Sequence, residues 1–349
     1  MSLTCRFFAP ADAAAWSQFV QRHPDGTFFH LPGWQQVIAD SFGHRPYYIL
    51  CERSGQITGI LPLVHMKTML FGNALISLPF CVYAGPIADD AQSLSALLDY
   101  AAAFMDQKRI PFCELRGPVN PDIDLAHAAT WQPVPPLYAT FRKFLAATAE
   151  EALKSIPRKQ RAVVRKAIDR GLSASVTTNI EPFFGLYAES MRNLGTPMFP
   201  RRYFHNLQNI FTDSVEILTI YDGETPLCAV LSFIHKDQIL PYYAGGGIAA
   251  RSAGGHDFMY WEVMRRAIGQ GLKSFDFGRS KIDTGAYAFK KNWGFEPEPL
   301  HYTMRLRAGE TAPEHNPLNP KYQLMIKLWK RLPVSVANFI GPHIMRGLG

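Results

Sequence analysis

The stretch SFDFGRSKIDTGAYAFKKNWGFEPEPL, residues Ser274 to Leu300, combines a short apolar run with a high density of cations and aromatic rings. The alternation at Phe275-Asp276-Phe277 predicts a strand. Basic groups and rings at the end of a strand are typical of a site for an anionic, partly apolar substrate. A solvated basic hairpin packed on its aromatic side is the alternative, and spacing alone leaves both open. The residues concerned are Arg279, Lys281, Lys290 and Lys291, with Tyr287, Phe289 and Trp293 and with Gly278, Gly285 and Gly294.

The composition is that of a globular protein, since 47% of the 349 residues are hydrophobic and 19% are charged. This length predicts two domains. The five cysteines are scattered and form no C-x-x-C pair, so neither a disulfide framework nor a metal site is expected, and a reducing cytoplasm is the natural compartment. We expect no signal peptide, because the N-terminus lacks a basic segment followed by an apolar one.

The net charge of +7 is concentrated in two segments. Residues 142–171 carry nine Lys or Arg and three Asp or Glu, a net charge of +6. Residues 321–349 carry five Lys or Arg and no acid, a net charge of +5. Local basic regions of this kind indicate anionic partners such as phosphates, lipid headgroups or RNA.

The two halves of the chain resemble each other. Ile49 to His65 matches Ile217 to His235, and a helical stretch then leads to PFCELRG in the first half and to SFDFGRS in the second. Each half is predicted to form two hairpin strands, a third strand, a helix and a further strand. Ser93 and Asp257 are the predicted helix caps. This plan predicts an α/β or α+β fold with a mixed sheet. Three landmark pairs support a duplication: Gly55 with Gly223, Tyr83 with Tyr243, and Gly117 with Gly278.

A basic helix is predicted between the halves, over residues 158–170. Arg161 and Arg165 share one face of it with Arg158. The helix is either a solvated surface element or an anion-binding helix at the mouth of a cleft.

The run FDFGRSK-x₂-TG-x-Y-x-FKK-x-WGF, the basic helix before it and GTPMFPRRYF at Gly195 to Phe204 resemble FemAB-related proteins of the GNAT acyltransferase superfamily. The resemblance is to members of the PEP-CTERM/exosortase-associated type, which accompany exopolysaccharide genes, and it covers nearly the whole chain. It implies two tandem GNAT-like domains, each a mixed, largely antiparallel sheet flanked by helices. The expected boundaries are 1–143 and 144–308, followed by a basic amphipathic tail at 309–349.

The resemblance implies a transferase that forms an amide on an amino-sugar-containing cell-envelope or exopolysaccharide precursor. The substrate is expected to be a small molecule or a lipid- or nucleotide-linked sugar, met in the cytoplasm or at the inner face of the membrane. A non-catalytic GNAT-like binding module and a tRNA-dependent peptidoglycan-type aminoacyltransferase are the alternatives. Transfer RNA is the less favoured partner, and DNA is not expected.

Amide formation requires an amine that loses a proton, a polarised acyl carbonyl and a leaving group. Lys290 is the candidate for stabilising an oxyanion or a phosphate, and Tyr287 is the candidate proton donor to the leaving group. Asp276 is the candidate base, although an acid at a strand end commonly pairs with a nearby arginine. The candidate substrate-binding residues are Arg279, Lys281, Lys291, Trp293, Tyr243, Arg161 and Arg165.

Relatives that use acyl-CoA hold its pyrophosphate on a Q/R-x-x-G-x-G/A loop before a helix, where free N–H groups and the helix dipole meet the phosphates. Arg251, Gly254 and Gly255 fit this pattern. His256 and Asp257 depart from it, which leaves acyl-CoA open as the cosubstrate. No tightly bound cofactor and no metal are expected.

The tail places apolar residues beside cations in residues 321–332. Such a helix either lies on an anionic membrane or packs on the second domain.

Overall fold

The structure, a computed structural model, describes residues 3–68, 72–117, 131–311 and 320–348. It divides into two compact units. Unit 1 contains Met1–Pro136, Leu300–His315 and Arg346–Gly349, and unit 2 contains Leu137–Pro299 and Asn316–Met345.

Unit 1 is an eight-stranded sheet with helices on both faces. Its strands are β1 (Leu3–Phe7), β2 (Arg45–Arg53), β3 (Gln56–Thr68), β4 (Gly72–Ser77), β5 (Ile87–Ala88), β6 (Phe112–Arg116), β7 (Trp131–Val134) and β16 (Tyr302–Leu306). The sheet order is β1-β2-β3-β4-β6-β16-β7, with β5 paired to β3. Among the described residues of this sheet, β4 and β6 are the parallel pair. Its helices are α1 (Ala13–Arg22), α2 (Trp34–Phe42) and α3 (Ala91–Gln107), with 3-10 turns at Pro10–Asp12 and Phe28–His30.

Unit 2 is a second eight-stranded sheet, ordered β9-β10-β11-β12-β13-β8-β14, with β15 paired to β8. The strands are β8 (Tyr138–Phe144), β9 (Ser173–Val176), β10 (Val215–Asp222), β11 (Thr225–His235), β12 (Gln238–Gly246), β13 (Ser274–Asp276), β14 (Ser280–Lys281) and β15 (Pro297–Pro299). The helices are α4 (Ala149–Ser155), α5 (Arg158–Asp169), α6 (Glu181–Leu194), α7 (Arg201–Ile210), α8 (Ile248–Ser252), α9 (Gly255–Gly269), α10 (Gly285–Asn292), α11 (Pro320–Trp329) and α12 (Val334–Met345), with a 3-10 turn at Thr212–Ser214. Helix α9 packs on β10, β11 and β12, while α4 and α5 pack on α9.

The predicted duplication is confirmed by the strand order. Strands β1, β2, β3, β4, β6 and β16 of unit 1 occupy the positions that β9, β10, β11, β12, β13 and β8 occupy in unit 2. In the described part of each sheet one parallel pair, β4 with β6 or β12 with β13, lies among antiparallel neighbours. The predicted fold, two mixed and largely antiparallel sheets flanked by helices, is therefore confirmed.

The boundaries of the units differ from those expected, 1–143, 144–308 and 309–349. Strand β8 follows the first half in sequence but pairs with β13 in unit 2, and β16 follows the second half but pairs with β6 in unit 1. Each sheet therefore takes one strand from the other half of the sequence. The hydrogen bonds of β16 to β6 and of β8 to β13 set this arrangement. A division of the sequence into contiguous segments does not reveal it.

Local sequence signals account for the hairpin and the helix starts. Ser54 and Gly55, both at positive φ (54° and 77°), form the two-residue turn between β2 and β3. Helix α3 is capped by Asp90, which accepts from the Ser93 amide, and not by Ser93. Helix α9 begins after Gly254 (φ 72°), so Asp257 lies inside the first turn and is not its cap.

The third strand of the first half differs from the prediction. Strand β4 ends at Ser77, and Tyr83 lies in the irregular segment after it. Leu78, Phe80 and Tyr83 are all buried and have positive φ. Gly85 packs against the backbone of Gly117, and a Cβ on Gly117 would lie 2.9 Å from the Gly85 nitrogen. The landmark Tyr83 therefore has no strand position equivalent to that of Tyr243.

No disulfide framework was expected from the sequence, and the structure has one cysteine pair. Cys5 and Cys51 lie directly opposite each other on β1 and β2 and are joined as a disulfide. Cys81, Cys113 and Cys228 are free and buried. The pairing arises from strand register, which the separation of 46 residues conceals.

The tail forms two helices, α11 and α12, that belong to unit 2. None of the helices in the described part of the chain has both the length and the apolar character that crossing a bilayer requires.

Candidate functional site

Strands β12 and β13 part at their carboxyl ends. Their parallel ladder pairs only Gln238 with Ser274 and Ile239 with Phe275, whereas β12 continues to Gly246. A bulge opposite Leu231 and Ser232 leaves Tyr242 as the extra residue of β12. This bulge changes the direction of the β12 backbone close to the point where β12 and β13 separate.

The glycines at the end of β12 have packing roles. A Cβ on Gly245 would lie 2.4 Å from the Cα of Tyr187, so α6 packs directly on the strand backbone. A Cβ on Gly246 would lie 2.8 Å from the imidazole of His256. Close approach of a helix and of a side chain therefore explains both glycines.

The predicted cofactor-binding residues lie on the connection from β12 to α9. Arg251 is exposed at the end of α8, and no ion pair to it occurs among the described residues. Gly254 adopts φ 72° and contacts Val163 of α5, whose Cγ1 would lie 2.8 Å from an added Cβ. Gly255 is buried against Ala250 and Cys228. The loop therefore adjoins the predicted basic helix, and α9 begins there with its N–H groups.

Two titratable groups sit at the start of α9. Burial lowers the pKa of His256, and the charge of Arg251 adds to the shift. Burial raises the pKa of Asp257, and the opposing contribution comes from Trp293, whose indole Nε1 donates to the Asp257 Oδ1 at 3.0 Å. The Asp257 carboxylate is thus engaged by Trp293 of the C-terminal motif.

The basic helix is observed as α5, with Val164 and Ala167 buried. Arg161 is partly buried and donates to the carbonyl of Lys154 at 2.5 Å. Arg165 is exposed, as are Lys159 and Lys166. The helix therefore presents a row of cations to solvent while its apolar side packs on α9.

Lys290 is in the interior, with 9% of its surface exposed. Its ammonium group donates to the carbonyls of Phe277 at 2.6 Å, Gly278 at 2.9 Å and Arg279 at 3.3 Å. Phe141 and Phe277 lie 5.5 and 5.9 Å from the ammonium. Burial lowers the pKa of Lys290 to about 7, and nearby Asp276 opposes that shift.

Asp276 is fully buried and has structural partners. Its Oδ2 accepts from the Arg142 Nε at 2.9 Å, and its Oδ1 accepts from the Gly278 amide at 2.6 Å and from the Thr140 hydroxyl at 3.2 Å. The structure therefore favours the arginine-pairing alternative over a base that faces a substrate, because the carboxylate has no exposed surface.

Four other predicted residues surround β8. The Tyr287 ring is half-buried and meets Phe141 edge to face at 5.2 Å. Arg279 lies over the ring of Tyr138, with 4.6 Å from its guanidinium carbon to the ring centroid. Lys281 of β14 lies opposite Tyr138 of β8 in the strand register, and the Lys291 ammonium is 5.9 Å from the centroid of the Tyr287 ring.

Two predicted substrate-binding residues lie in the core. Trp293 is 1% exposed and packs beneath α9, and Tyr243 is 6% exposed. The Tyr243 hydroxyl lies 2.8 Å from that of Tyr203, inside a cluster of aromatic rings. Neither side chain can reach a substrate in this structure without repacking.

The contribution of β8 was missed by the sequence reasoning. Tyr138, Thr140, Phe141 and Arg142 contact the C-terminal motif, although they lie more than 130 residues earlier and inside the segment expected to be the first domain. In the sequence, the duplication was the signal that could have indicated this contribution of β8, because β8 occupies in unit 2 the place that β16 occupies in unit 1.

No group of three or more His, Cys, Asp or Glu side chains suited to a metal occurs in the part of the chain that the structure describes.

Comparison with known proteins finds a family match over part of unit 2. Residues 158–291, from α5 into α10, match the family model described as acetyltransferase (GNAT) domain. The match includes the parted strands, the loop before α9 and Lys290. No curated protein matches the sequence.

Solved structures share the fold over nearly the whole chain. FemX aligns with a TM-score of 0.68 at 16% identity, covering 93% of this chain and 100% of FemX. L-PGS from Bacillus licheniformis aligns with a TM-score of 0.56 at 12% identity, covering 93% and 98%. A tandem GNAT protein from the clavulanic acid biosynthesis pathway aligns with a TM-score of 0.55 at 11% identity, covering 89% and 100%. At these identities the likeness establishes the tandem GNAT-like fold.

Proposed function

We propose that the protein is an N-acyltransferase or aminoacyltransferase that forms an amide on an amino-sugar-containing cell-envelope or exopolysaccharide precursor. The observation that carries the proposal is the coincidence of the GNAT family match, residues 158–291, with the parted strands β12 and β13 and the glycine-initiated helix α9. The PEP-CTERM/exosortase type of substrate comes from the resemblance of the sequence motifs.

The reaction joins the acceptor nitrogen to the acyl carbon. The amine loses a proton, the carbonyl oxygen becomes an oxyanion in the tetrahedral intermediate, and the bond to the leaving thiolate or ribose oxygen breaks as that atom gains a proton. In this proposal, backbone N–H groups of β12 beyond Ile239, where its ladder with β13 has ended, polarise the carbonyl. Tyr287, a half-buried residue of α10 that packs on Phe141, is the proposed proton donor to the leaving group.

In this proposal, Lys290 maintains the shape of the site. Its three carbonyl partners use all three N–H donors of the ammonium. A direct contact with an oxyanion or a phosphate requires one of these hydrogen bonds to break. We therefore assign Lys290 to positioning the segment Phe277–Arg279, which carries the Arg279 guanidinium, and we keep Arg279 and Lys281 as candidate contacts for substrate phosphate or carboxylate.

The donor favoured by the geometry is acyl-CoA. Arg251 and the start of α9 adjoin Gly254, which contacts Val163 of the basic helix α5, and this combination suits a pyrophosphate. The negative charge of Asp257, which weakened this prediction at the level of sequence, is engaged by Trp293. Aminoacyl-tRNA is the second candidate donor, and the exposed cation row of α5 is the observation that favours it.

The acceptor is proposed to be a nucleotide- or lipid-linked amino sugar. Its phosphates would be met by Arg165 and its neighbours on α5, because these cations are exposed. A non-catalytic binding module remains the competing function, and it predicts sugar-nucleotide binding without acyl transfer.

The test is isothermal titration with acetyl-CoA and, separately, with a UDP-linked amino sugar. Arg251→Ala is the site variant and Lys273→Ala is its control, because both remove one exposed cation and they flank opposite ends of α9, about 22 Å apart along the helix. We expect acetyl-CoA to bind, with about tenfold weaker binding in Arg251→Ala and unchanged binding in Lys273→Ala. Absence of acetyl-CoA binding would remove the acyl-CoA assignment and make aminoacyl-tRNA the next ligand.

Transfer itself is tested by mass spectrometry of the amino sugar after incubation with the bound donor. A mass increase equal to the acyl group supports the enzyme, whereas binding of both ligands without any product supports the binding module.

A further inference from the structure

The tail helices of unit 2 pack on α6 through one side. Ile326 of α11 contacts Gly195, where an added Cβ would lie 2.6 Å from its Cγ2, and the Arg192 guanidinium donates to the Lys330 carbonyl at 3.4 Å. In α12 the buried positions recur at helical spacing, and Gly341 packs on Met198. This inner side of the tail therefore agrees with the predicted alternative in which the tail packs on the second domain.

The outer sides of the same two helices are also apolar. In α12 Phe339 is 76% exposed, with its neighbours Val336 and Ile340 on the same face. In α11 Met325 and Leu328 are at least half exposed and lie one turn apart. We name these five residues the tail face. A helix needs only one apolar side to pack on its own domain. The second apolar side, the tail face, is exposed and therefore requires a partner of its own.

Cations flank the tail face. Lys327 and Arg331 are exposed, in α11 and just after it. Lys330 is also exposed, but its stem lies on the inner side of the tail, with Cε 3.0 Å from a Cβ added at Gly195. Residues 315–349 contain no Asp or Glu. The partner must therefore combine an apolar interior with anionic groups at its boundary.

Geometry and charge select the kind of partner. Helix α12 has 12 residues and is about 18 Å long, which is too short to cross a bilayer but sufficient to lie along one. A symmetric contact between two copies would place each set of cations near its equivalent, an unfavourable arrangement. A lipid surface instead takes exposed rings and aliphatic side chains below the headgroups while their phosphates meet the lysines and the arginine.

We propose that the tail face docks the protein on an anionic lipid surface, with α11 and α12 lying in the interface and unit 2 held against the bilayer. The tail face extends beyond the basic stretch 321–332 to α12, which supplies its one aromatic ring, Phe339. The proposal does not depend on the proposed enzymatic function, because the residues of the tail face lie outside the candidate site.

The experiment is flotation of the full-length protein with vesicles of phosphatidylcholine alone or of phosphatidylcholine and phosphatidylglycerol in equal amounts. We expect binding to the mixed vesicles, weak binding to the neutral ones, and release by added salt. The variant F339S/I340S should bind the mixed vesicles at least tenfold more weakly, because it removes the deepest apolar contacts. The variant K327E/R331E should lose the preference for the anionic lipid.

The matched control is Phe144→Ser, which removes a ring that is 82% exposed on β8 and should leave vesicle binding unchanged. All altered side chains are exposed, so thermal unfolding should show an unchanged midpoint, and a variant with a shifted midpoint is replaced by the single change Phe339→Ser. Wild-type protein that does not float, or F339S/I340S that floats like wild type, would overturn the proposal. A dimer seen by light scattering that F339S/I340S dissociates, without vesicle binding, would also overturn it and identify the tail face as a contact between copies.

Discussion

The Lys290 ammonium group donates to the backbone carbonyl of Phe277 across 2.6 Å, which ties α10 to the end of β13. The same ammonium reaches the carbonyls of Gly278 and Arg279. The two lysines of the FKK motif therefore have different surroundings, since Lys291 is exposed and Lys290 is buried. The first prediction uses this burial.

Lys290→Met should abolish a pH dependence of stability. Burial lowers the pKa of Lys290 from 10.5 to about 7, so between these values the unfolded chain binds a proton that the folded protein releases. The free energy of unfolding of the wild type should then rise with pH, by at most about 1.4 kcal/mol per pH unit from this group. In urea titrations from pH 6.5 to 9, the free energy of unfolding of the wild type minus that of Lys290→Met should increase with pH. A difference that stays constant would contradict the shifted pKa.

Asp276→Asn should lower the free energy of unfolding by about 2 kcal/mol, because it removes the charge of a fully buried carboxylate that pairs with the 40% exposed Arg142 and weakens the bond from the Gly278 amide. Asp222→Asn is the control, since its pair with Arg170 is largely exposed and should contribute less than about 1 kcal/mol. Urea unfolding measures both. Equal effects of the two changes would show that the Asp276 pair is not a structural contact of the kind described.

Gly245→Ala should destabilise unit 2 by about 3 kcal/mol or more, because the new Cβ would lie 2.4 Å from the Cα of Tyr187 and α6 would have to move. Gly269→Ala is the matched change in α9, where nothing lies within 4 Å of the added carbon. It should stabilise the protein by about 0.5–1 kcal/mol. Thermal unfolding of the two variants should thus shift in opposite directions, and a tolerated Gly245→Ala would refute the packing of α6 on the strand backbone.

The double variant K159A/R165A should weaken binding of the UDP-linked amino sugar and flatten its dependence on salt. Both side chains are exposed, so the far-ultraviolet circular dichroism and the unfolding midpoint should not change. Titrations at increasing NaCl measure the slope of the logarithm of the affinity against that of the salt concentration. Lys154→Ala, an exposed cation on α4, serves as the control. A wild-type affinity that does not respond to salt would exclude α5 as a major phosphate contact.

The sequence was sufficient for features that depend on local pattern. Alternating strands, the two-residue turn at Ser54-Gly55 and the row of cations on α5 follow from periodicity and turn chemistry, so the duplicated plan and the basic helix could be predicted from the residues alone. The loop at Arg251, Gly254 and Gly255 was likewise predicted at the start of a helix, where the structure has it.

Only the tertiary structure decided which side chains face solvent. It also decided which strand of each half joins the sheet that the other half mainly forms. Trp293 and Asp276 belong to the same motif as Arg279, yet two are buried and one is not. Asp276 lies opposite Arg142 of β8, which arrives from more than 130 residues earlier, and Trp293 packs against Tyr260 of α9. The partnership of Asp276 with Arg142 and the burial of Lys290 depend on that long-range pairing. Local sequence specifies which elements form, whereas the order in which distant strands pair specifies which of their residues remain accessible to a substrate.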